Sequence, residues 1–80
     1  MTITLAVFGI ARDIIGAATL PLDIPAEESV DELLARLRRL YPALAELRSL
    51  AIAVNSEYAH PADRLHPHDE VALLPPVSGG

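Results

Sequence analysis

The stretch "SVDELLARLRRLYP", Ser29–Pro42, decides the fold of this chain. Ser29 and Glu32 have the spacing of a capping box. In this motif the Ser29 side chain accepts the backbone N–H of Glu32, and the Glu32 side chain accepts the backbone N–H of Ser29. Apolar residues follow at the three- and four-residue spacing of one buried stripe: Val30, Leu33, Leu34, Leu37 and Tyr41. Pro42 ends the helix, because a residue that precedes proline disfavours helical backbone. The stretch therefore predicts one amphipathic helix in the middle of the chain.

Strand patterns flank this helix on both sides. Before it, Thr2–Phe8 alternates in the way of a half-buried strand, and Ala18–Ile24 has the same period. After it, Leu50–Val54, Tyr58–Ala59 and Glu70–Leu74 predict three more strands. The chain order is therefore two strands, one main helix and three further strands.

The connections between these elements are predicted from their turn residues. Residues 9–17 turn the chain between two glycines and have room for one helical turn. Residues 43–49 predict another short turn of helix, and residues 60–69 predict a loop. Residues 55–57 predict a tight turn, since Asn55 tolerates left-handed backbone. Pro21 places the second strand at a sheet edge, because a central strand needs every amide donor.

This order predicts an α+β domain in which one helix covers one face of a mixed sheet of four or five strands. With the last strand beside the first, that arrangement is the ubiquitin-like β-grasp. We predict a body over residues 1–74 and an extended tail over residues 75–80. Eighty residues are enough for one small domain only.

Composition narrows the classes of function. Apolar residues make up 51% of the chain and the formal charge is −5. That charge disfavours nucleic acid, whose phosphates require a basic surface. The apolar start has no basic leader and is interrupted by Arg12-Asp13, so we expect neither a signal peptide nor a membrane span. Together with the lack of cysteine, this predicts a cytoplasmic protein.

All six basic residues are arginines, and lysine is missing. This fits a genome biased toward alanine, leucine and arginine. It also fits a protein without side-chain amines that would capture its own activated C-terminus. The sequence leaves both interpretations open.

The sheet face turned away from the helix is predicted to be apolar. An exposed sheet face ordinarily carries polar side chains. Here its residues are small or apolar: Ala6, Phe8, Ala51, Ala53, Ala72 and Leu74. A contiguous apolar patch on a small protein indicates a surface for a partner.

The chain ends in "LLPPVSGG", Leu73–Gly80. Pro75 and Pro76 favour an extended backbone, and six extended residues reach about 20 Å. Gly79 and Gly80 have no side chains, so they fit a narrow tunnel. A terminal carboxylate is ionised at neutral pH and must be activated before it reacts, most simply by ATP. The pattern predicts a tail that carries Gly80 into the active site of another protein.

The sequence resembles a known family, the small subunit of molybdopterin synthase, which is a sulfur carrier of the MoaD type. The resemblance is carried by "LAVFGIARDIIG", "AVNSEYA" and "HDEVALLPPVSGG", and it covers nearly the whole chain. It implies that an E1-like activating enzyme uses ATP to adenylate Gly80, and that a sulfur donor converts the adenylate to a thiocarboxylate. The sulfur then passes to cyclic pyranopterin monophosphate in the large subunit.

The resemblance also implies the roles of individual residues. The chain would be a non-catalytic sulfur-donating subunit, with the catalytic pocket supplied by the large subunit and no permanently bound cofactor. Gly80, together with Gly79, would be the reacting end of the chain. The implied contacts with partner proteins are Phe8, Arg12, Tyr58, Leu74, Pro75, Pro76, Val77 and Ser78. Leu74 departs from the phenylalanine that relatives often have.

Other functions stay open beside this one. Carriers for thiazole and thiamine synthesis are also β-grasp proteins ending in Gly-Gly, but they tend to be shorter and lack the proline pair. A ubiquitin-like modifier would join Gly80 to lysines of target proteins. A binding module would not use its tail chemically. We predict no metal site at His60, His66 and His68. A metal site needs three or four converging ligands, and a solvated loop does not hold three imidazoles together.

Overall fold

The computed structural model describes residues 1–47 and 49–75. Within that part of the chain, the strands are β1 (Thr2–Val7), β2 (Thr19–Asp23), β3 (Ala51–Val54), β4 (Glu57–Tyr58) and β5 (Val71–Leu74). The helices are α1 (Gly9–Ile15), α2 (Val30–Leu40) and a 3-10 helix (Pro42–Glu46). The sheet order is β2-β1-β5-β3-β4, with β1 and β5 parallel and the other neighbours antiparallel. The predicted α+β fold with a mixed sheet is confirmed.

Helix α2 begins at the predicted capping box. The Ser29 hydroxyl accepts the backbone N–H of Glu32 at 3.2 Å, and the Ser29 N–H donates to the Glu32 carboxylate at 3.1 Å. The pKa of Glu32 is held below its ordinary value by two donors to its carboxylate, the Ser29 N–H and the Ser29 hydroxyl, which donates at 2.9 Å. Val30, Leu33 and Leu37 are buried, while Leu34 and Tyr41 are partly buried against the core. The predicted stripe is therefore the face by which α2 covers the sheet.

The register of the strands builds the core in rows. Leu5 lies opposite Val71, which lies opposite Val54. In the next row, Val7, Leu73 and Ile52 are neighbours in the same way, and all three are buried. The six residues of these two rows alternate with those of the predicted apolar face and lie on the side toward the helix, although Val54 is only partly buried. Side chains from the connecting segments close the core: Ala11, Ile24, Leu44 and Leu65.

Strand β2 is at the predicted edge of the sheet. Val7 N–H donates to the Ala18 carbonyl at 2.8 Å, so these residues form a bonded pair. Bonded and non-bonded pairs alternate along an antiparallel ladder. Thr4 and Pro21, three positions further along, are therefore a non-bonded pair whose backbone groups point away from each other. Pro21 costs the sheet no hydrogen bond and removes a donor from its free edge.

Several boundaries differ from the predictions by one residue or more. Helix α1 has seven residues rather than one turn. The turn between β3 and β4 needs only Asn55 and Ser56, with φ of 53° and 70°. Two left-handed residues make the tightest hairpin turn, so β4 starts at Glu57, one residue before the predicted strand.

The loop over residues 60–69 repeats one turn. In His60–Asp63 and again in His66–Asp69, the histidine N–H donates to the aspartate carboxylate, at 2.9 and 2.8 Å. In both turns the aspartate N–H donates back to the histidine carbonyl. The pattern H-P-x-D therefore forms the same hydrogen-bonded turn twice.

The same loop is tied to the start of α2. The carbonyls of Asp63 and Pro61 accept the N–H groups of Val30 and Asp31, at 2.9 and 3.0 Å. These amides belong to the first turn of α2, where no partner exists within the helix. The loop thereby positions the helix over the sheet.

Glu28, just before α2, is a buried charge with a partner. Its carboxylate accepts hydrogen bonds from Arg36 Nη2 at 2.8 Å and from Arg36 Nε at 3.4 Å. Arg36, in α2, is therefore the partner of a buried carboxylate. No helix within residues 1–47 and 49–75 has the length and apolar character needed to cross a bilayer.

Candidate functional site

The sheet face opposite α2 carries the predicted apolar surface. Ala72 on the central strand β5 lies between Ala6 of β1 and Ala53 of β3. Tyr58 of β4 lies opposite Ala53 and extends this row to the edge. The next row pairs Leu74 with Ala51. We call the outer face the set Ala6, Phe8, Ala51, Ala53, Tyr58, Ala72 and Leu74.

The side chains of the outer face are small in the middle and large at its borders. The central alanines are partly exposed, while Phe8 is 51% and Tyr58 72% exposed. Toward the start of β1 the same side of the sheet becomes polar, with Thr2, Thr4 and Thr19 exposed. The apolar part therefore lies toward the end of β5, from which the tail continues.

The tail begins against Gly9. A Cβ built on Gly9 would lie 2.7 Å from Cγ of Pro75, closer than side chains approach. Gly9 also has φ of +58°, in the left-handed region that favours glycine. Pro75 therefore packs where only a glycine leaves room. This contact joins the end of β5 to the start of α1, and we call Leu74–Pro75 the tail root.

The other predicted contact residues do not all lie near the tail root. Arg12 is exposed in the last turn of α1, where its carbonyl accepts the N–H of Gly16 at 2.8 Å. Phe8 precedes α1 and is near the tail root through Gly9. Tyr58 is three strands away from β1, at the far edge of the sheet. The structure thus gathers Phe8, Leu74 and Pro75 and sets Tyr58 apart from them.

The remaining predicted residues lie outside the described part of the chain. They are Pro76, Val77, Ser78, Gly79 and Gly80. The division into a body over 1–74 and a tail over 75–80 stays a prediction, although β5 ends at Leu74.

Asn55 locks the start of β5 to the turn that follows β3. Its backbone N–H donates to the Glu70 carbonyl at 2.8 Å, and its side-chain oxygen accepts the Glu70 N–H at 2.9 Å. Its side-chain nitrogen donates to Asp69 at 3.0 Å. The His66 N–H and the Asn55 amide both donate to the Asp69 carboxylate, and together they lower its pKa. Asn55 therefore aligns β5, and with it the tail root.

The histidines do not form a metal site in the described residues. No group of three histidine, aspartate or glutamate side chains within residues 1–47 and 49–75 is arranged to hold a metal ion. His60 and His66 have their backbone N–H groups in the two repeated turns, and all three histidines are exposed.

Two features of the site were missed in the sequence. Gly9 had been interpreted only as a turn residue, since its contact with Pro75 depends on the adjacency of β1 and β5. The exposure of Ile10 was not predicted from the sequence either. The repeated H-P-x-D pattern, in contrast, is visible in the sequence and would have predicted the two turns.

Comparisons with known proteins decide the family. The sequence model of the ThiS family matches residues 5–80. The chain belongs to the ThiS family. The molybdopterin synthase sulfur carrier subunit of Caenorhabditis briggsae is 38% identical to this ThiS-family chain over 76 residues, which cover 91% of this chain and 90% of the relative.

Solved structures agree with this ThiS-family assignment. The small archaeal modifier protein 1 of Haloferax volcanii superposes with a TM-score of 0.81 at 26% identity, covering 100% of both chains. A chain from the complex of subunits 1 and 2 of the molybdopterin-converting factor of Helicobacter pylori has a TM-score of 0.66 at 27% identity, also covering 100% of both chains.

These comparisons confirm three predictions about this ThiS-family chain. They confirm the resemblance to the small subunit of molybdopterin synthase, the ubiquitin-like β-grasp fold and the role of a sulfur carrier in molybdenum cofactor biosynthesis. The family model names no pathway, whereas the named relatives are molybdopterin synthase sulfur carrier subunits.

Proposed function

We propose that this sulfur carrier of molybdenum cofactor biosynthesis carries its sulfur as a thiocarboxylate at Gly80. The observation that supports the proposal is the position of the tail root. β5 lies in the centre of the sheet, its end lies beside the apolar outer face, and Pro75 packs on Gly9. A partner that docks on the outer face would therefore meet the tail at its start.

The chemistry requires two steps before sulfur is delivered. An oxygen of the Gly80 carboxylate attacks the α-phosphorus of ATP, and pyrophosphate leaves. Hydrosulfide released by a sulfur donor then attacks the carbonyl carbon of the acyl-adenylate; AMP leaves, the S–H proton passes to solvent, and the thiocarboxylate remains. Adenylation is needed because an ionised carboxylate is a poor electrophile. An E1-like activating enzyme would bind the ATP, and the body would need no nucleotide site of its own.

Delivery places the thiocarboxylate inside the large subunit of molybdopterin synthase. The relative from Helicobacter pylori, solved as a complex of subunits 1 and 2, supports a partner of this kind. The five residues after Pro75 span at most about 17 Å when extended. That is long enough to enter a cavity while the outer face stays at the surface of the large subunit. The acceptor would be cyclic pyranopterin monophosphate, and we place these steps in the cytoplasm.

Intact-mass measurement tests the proposal. After incubation with ATP, an activating enzyme and a sulfur donor, we expect the mass to rise by the difference between sulfur and oxygen. One glycine added after Gly80 is the matched variant, because it leaves the body unchanged and displaces the reacting carboxylate. We expect it to abolish sulfur transfer while leaving the melting temperature of the protein unchanged.

The same experiment separates the alternative of a protein modifier. That alternative is favoured by the fold similarity to the small archaeal modifier protein 1. A modifier would give adducts of high mass that resist reducing agents, joined through Gly80 to lysines of other proteins. An unchanged mass in the presence of active enzymes would contradict both functions.

A further inference from the structure

Two exposed apolar side chains of the described residues lie outside the outer face and outside the core. Among the described residues, four large apolar side chains are exposed: Phe8 at 51%, Ile10 at 51%, Leu40 at 55% and Tyr58 at 72%. Phe8 and Tyr58 belong to the outer face. Leu40 is the last residue of α2, and Ile10 lies in the first turn of α1.

Helix α1 packs on the core without Ile10. Ala11 is fully buried, and Ile14 and Ile15 are partly buried against the core. Ile10 thus lies at the border of the apolar stripe of α1, half in solvent. A single exposed apolar residue is ordinary on a protein surface, so exposure alone assigns no role to Ile10.

The location of Ile10 supplies the second observation. Ile10 directly follows Gly9, where a Cβ would collide with the Pro75 ring. Phe8 directly precedes Gly9, so two exposed apolar side chains flank the glycine on which the tail root rests. Since the tail beyond Pro75 reaches at most about 17 Å, a protein that encloses Gly80 must come close to this pair.

The composition of the outer face explains why such a pair matters. Alanines form the middle of that face, and each offers little area to a partner. Binding energy at interfaces concentrates in a few large side chains that fill pockets. Near the tail root, Phe8 and Ile10 are the large side chains exposed among the described residues.

We propose that Ile10 is a contact residue for the large subunit of molybdopterin synthase, paired with Phe8 across Gly9. This inference rests on the function proposed above and extends the interface from the sheet onto α1. Its partner surface would be an apolar depression beside the entrance of the cavity that receives Gly80. The large subunit is chosen over the activating enzyme because a relative is known in complex with such a subunit.

The experiment compares two substitutions of equal chemistry. Ile10→Gln and Leu40→Gln each replace a half-exposed aliphatic side chain by a polar one of similar size, and glutamine is a good helix former. We expect Ile10→Gln to weaken binding to the large subunit about tenfold or more, as judged by calorimetry, because an apolar contact is lost. Leu40→Gln should change the Kd less than about twofold, and Ile10→Val should restore most of the affinity.

Two further measurements assign the result. Thermal unfolding should give the same melting temperature for Ile10→Gln and Leu40→Gln. Equal melting temperatures show that weaker binding of Ile10→Gln comes from a lost contact and not from a destabilised fold. Exchange of pyrophosphate into ATP, catalysed by the activating enzyme, should be unchanged by Ile10→Gln. A defect confined to this exchange would assign Ile10 to the activating enzyme and overturn the proposal.

The failures can be distinguished. If the wild-type protein acquires sulfur and binds the large subunit, but Ile10→Gln binds as tightly, the role of Ile10 is wrong and the carrier function stands. If the wild-type protein itself neither binds nor acquires sulfur, the carrier function and the role of Ile10 are both wrong.

Discussion

The two faces of the sheet are built from the same strands but differ in the size and burial of their side chains. On the face toward α2, the side chains are large and buried, as for Leu5, Ile52 and Leu73. On the outer face, the residues between them are small and partly exposed, as for Ala6 and Ala72. Both faces are apolar, so hydrophobicity does not distinguish them. What distinguishes them is size and cover: one face is filled by a helix of the same chain, and the other is left open.

The difference shows how a small protein keeps an open apolar face without losing its fold. Stability comes from large side chains on the covered face, where each buried leucine contributes about 1.5–3 kcal/mol. Alanines on the open face expose little apolar area to water, so the face adds little tendency to aggregate. A partner can then bind there without competing with the core.

The sharpest way to break this comparison uses two neighbouring leucines. Leu73 is fully buried on the covered face, and Leu74 is partly buried on the outer face. We expect Leu73→Ala to lower the free energy of unfolding by about 2–5 kcal/mol, because it leaves a cavity in the core. Leu74→Ala should cost less than about 1 kcal/mol, since its site stays open to solvent. Urea denaturation of both variants measures the difference, and equal losses would contradict it.

A charge in the middle of the outer face tests its role in binding. Ala72 lies between Ala6 and Ala53, so Ala72→Arg would bring an unpaired charge into a docked interface. We expect binding to the large subunit to weaken on the order of 100-fold, since burying an unpaired charge is costly. Ala35→Arg on the exposed side of α2 is the matched control. If both variants bound the large subunit equally well, the outer face would not be the docking surface.

Asn55 allows the stability of the sheet to be changed without touching either face. Asn55→Ala removes two side-chain hydrogen bonds and leaves a residue with a Cβ at a left-handed φ of 53°. We expect a loss of about 1–2 kcal/mol in the free energy of unfolding. Asn55→Gly also loses the bonds but accepts that backbone conformation, so it should lose less. Identical losses would mean that backbone strain contributes nothing here.

Acid titration should produce the smallest effect. The Asp69 carboxylate has a lowered pKa in the folded protein, because the His66 N–H and the Asn55 side chain donate to it. A group with a lowered folded-state pKa stabilises the fold above its ordinary pKa of 3.8, and this stabilisation is lost as pH falls through the folded-state value. The stability of the wild-type protein should therefore decrease as the pH falls below about 4. The stability of the Asp69→Asn variant should decrease less steeply over the same pH range. Thermal unfolding between neutral and acid pH would measure both slopes, and parallel slopes would contradict the assignment.

Much of the fold was predictable because its signals are local. The capping box at Ser29, the stripe from Val30 to Tyr41 and the alternation of β1 each depend on residues within one continuous segment of the chain. Pro21 predicted an edge strand for the same reason, since a missing N–H is a local property. The boundaries of α1 and β4 were less accurate, because tertiary packing and turn geometry decide where an element ends.

The site was predictable only in part. The apolar outer face followed from alternation once the strands were assigned, and the residue types of the tail are evident in the sequence. The contact between Gly9 and Pro75 had no sequence signal, since it joins residues 66 positions apart through the parallel pairing of β1 and β5. The ion pair of Glu28 and Arg36 was likewise hidden, because acidic and basic residues near helix ends are ordinarily solvated.

The sequence by itself determined which segments form helix and strand, which sides of them are apolar, and that two glycines follow closely after the proline pair. Those properties depend on backbone preferences and on the period of side chains along one segment. Only the tertiary structure decided that β3 pairs with the other side of β5, that Pro75 packs on Gly9 beside an uncovered row of alanines, and that Ile10 flanks the tail root. Such neighbours come from the pairing of distant strands, and the pattern of any single segment carries no record of its partner.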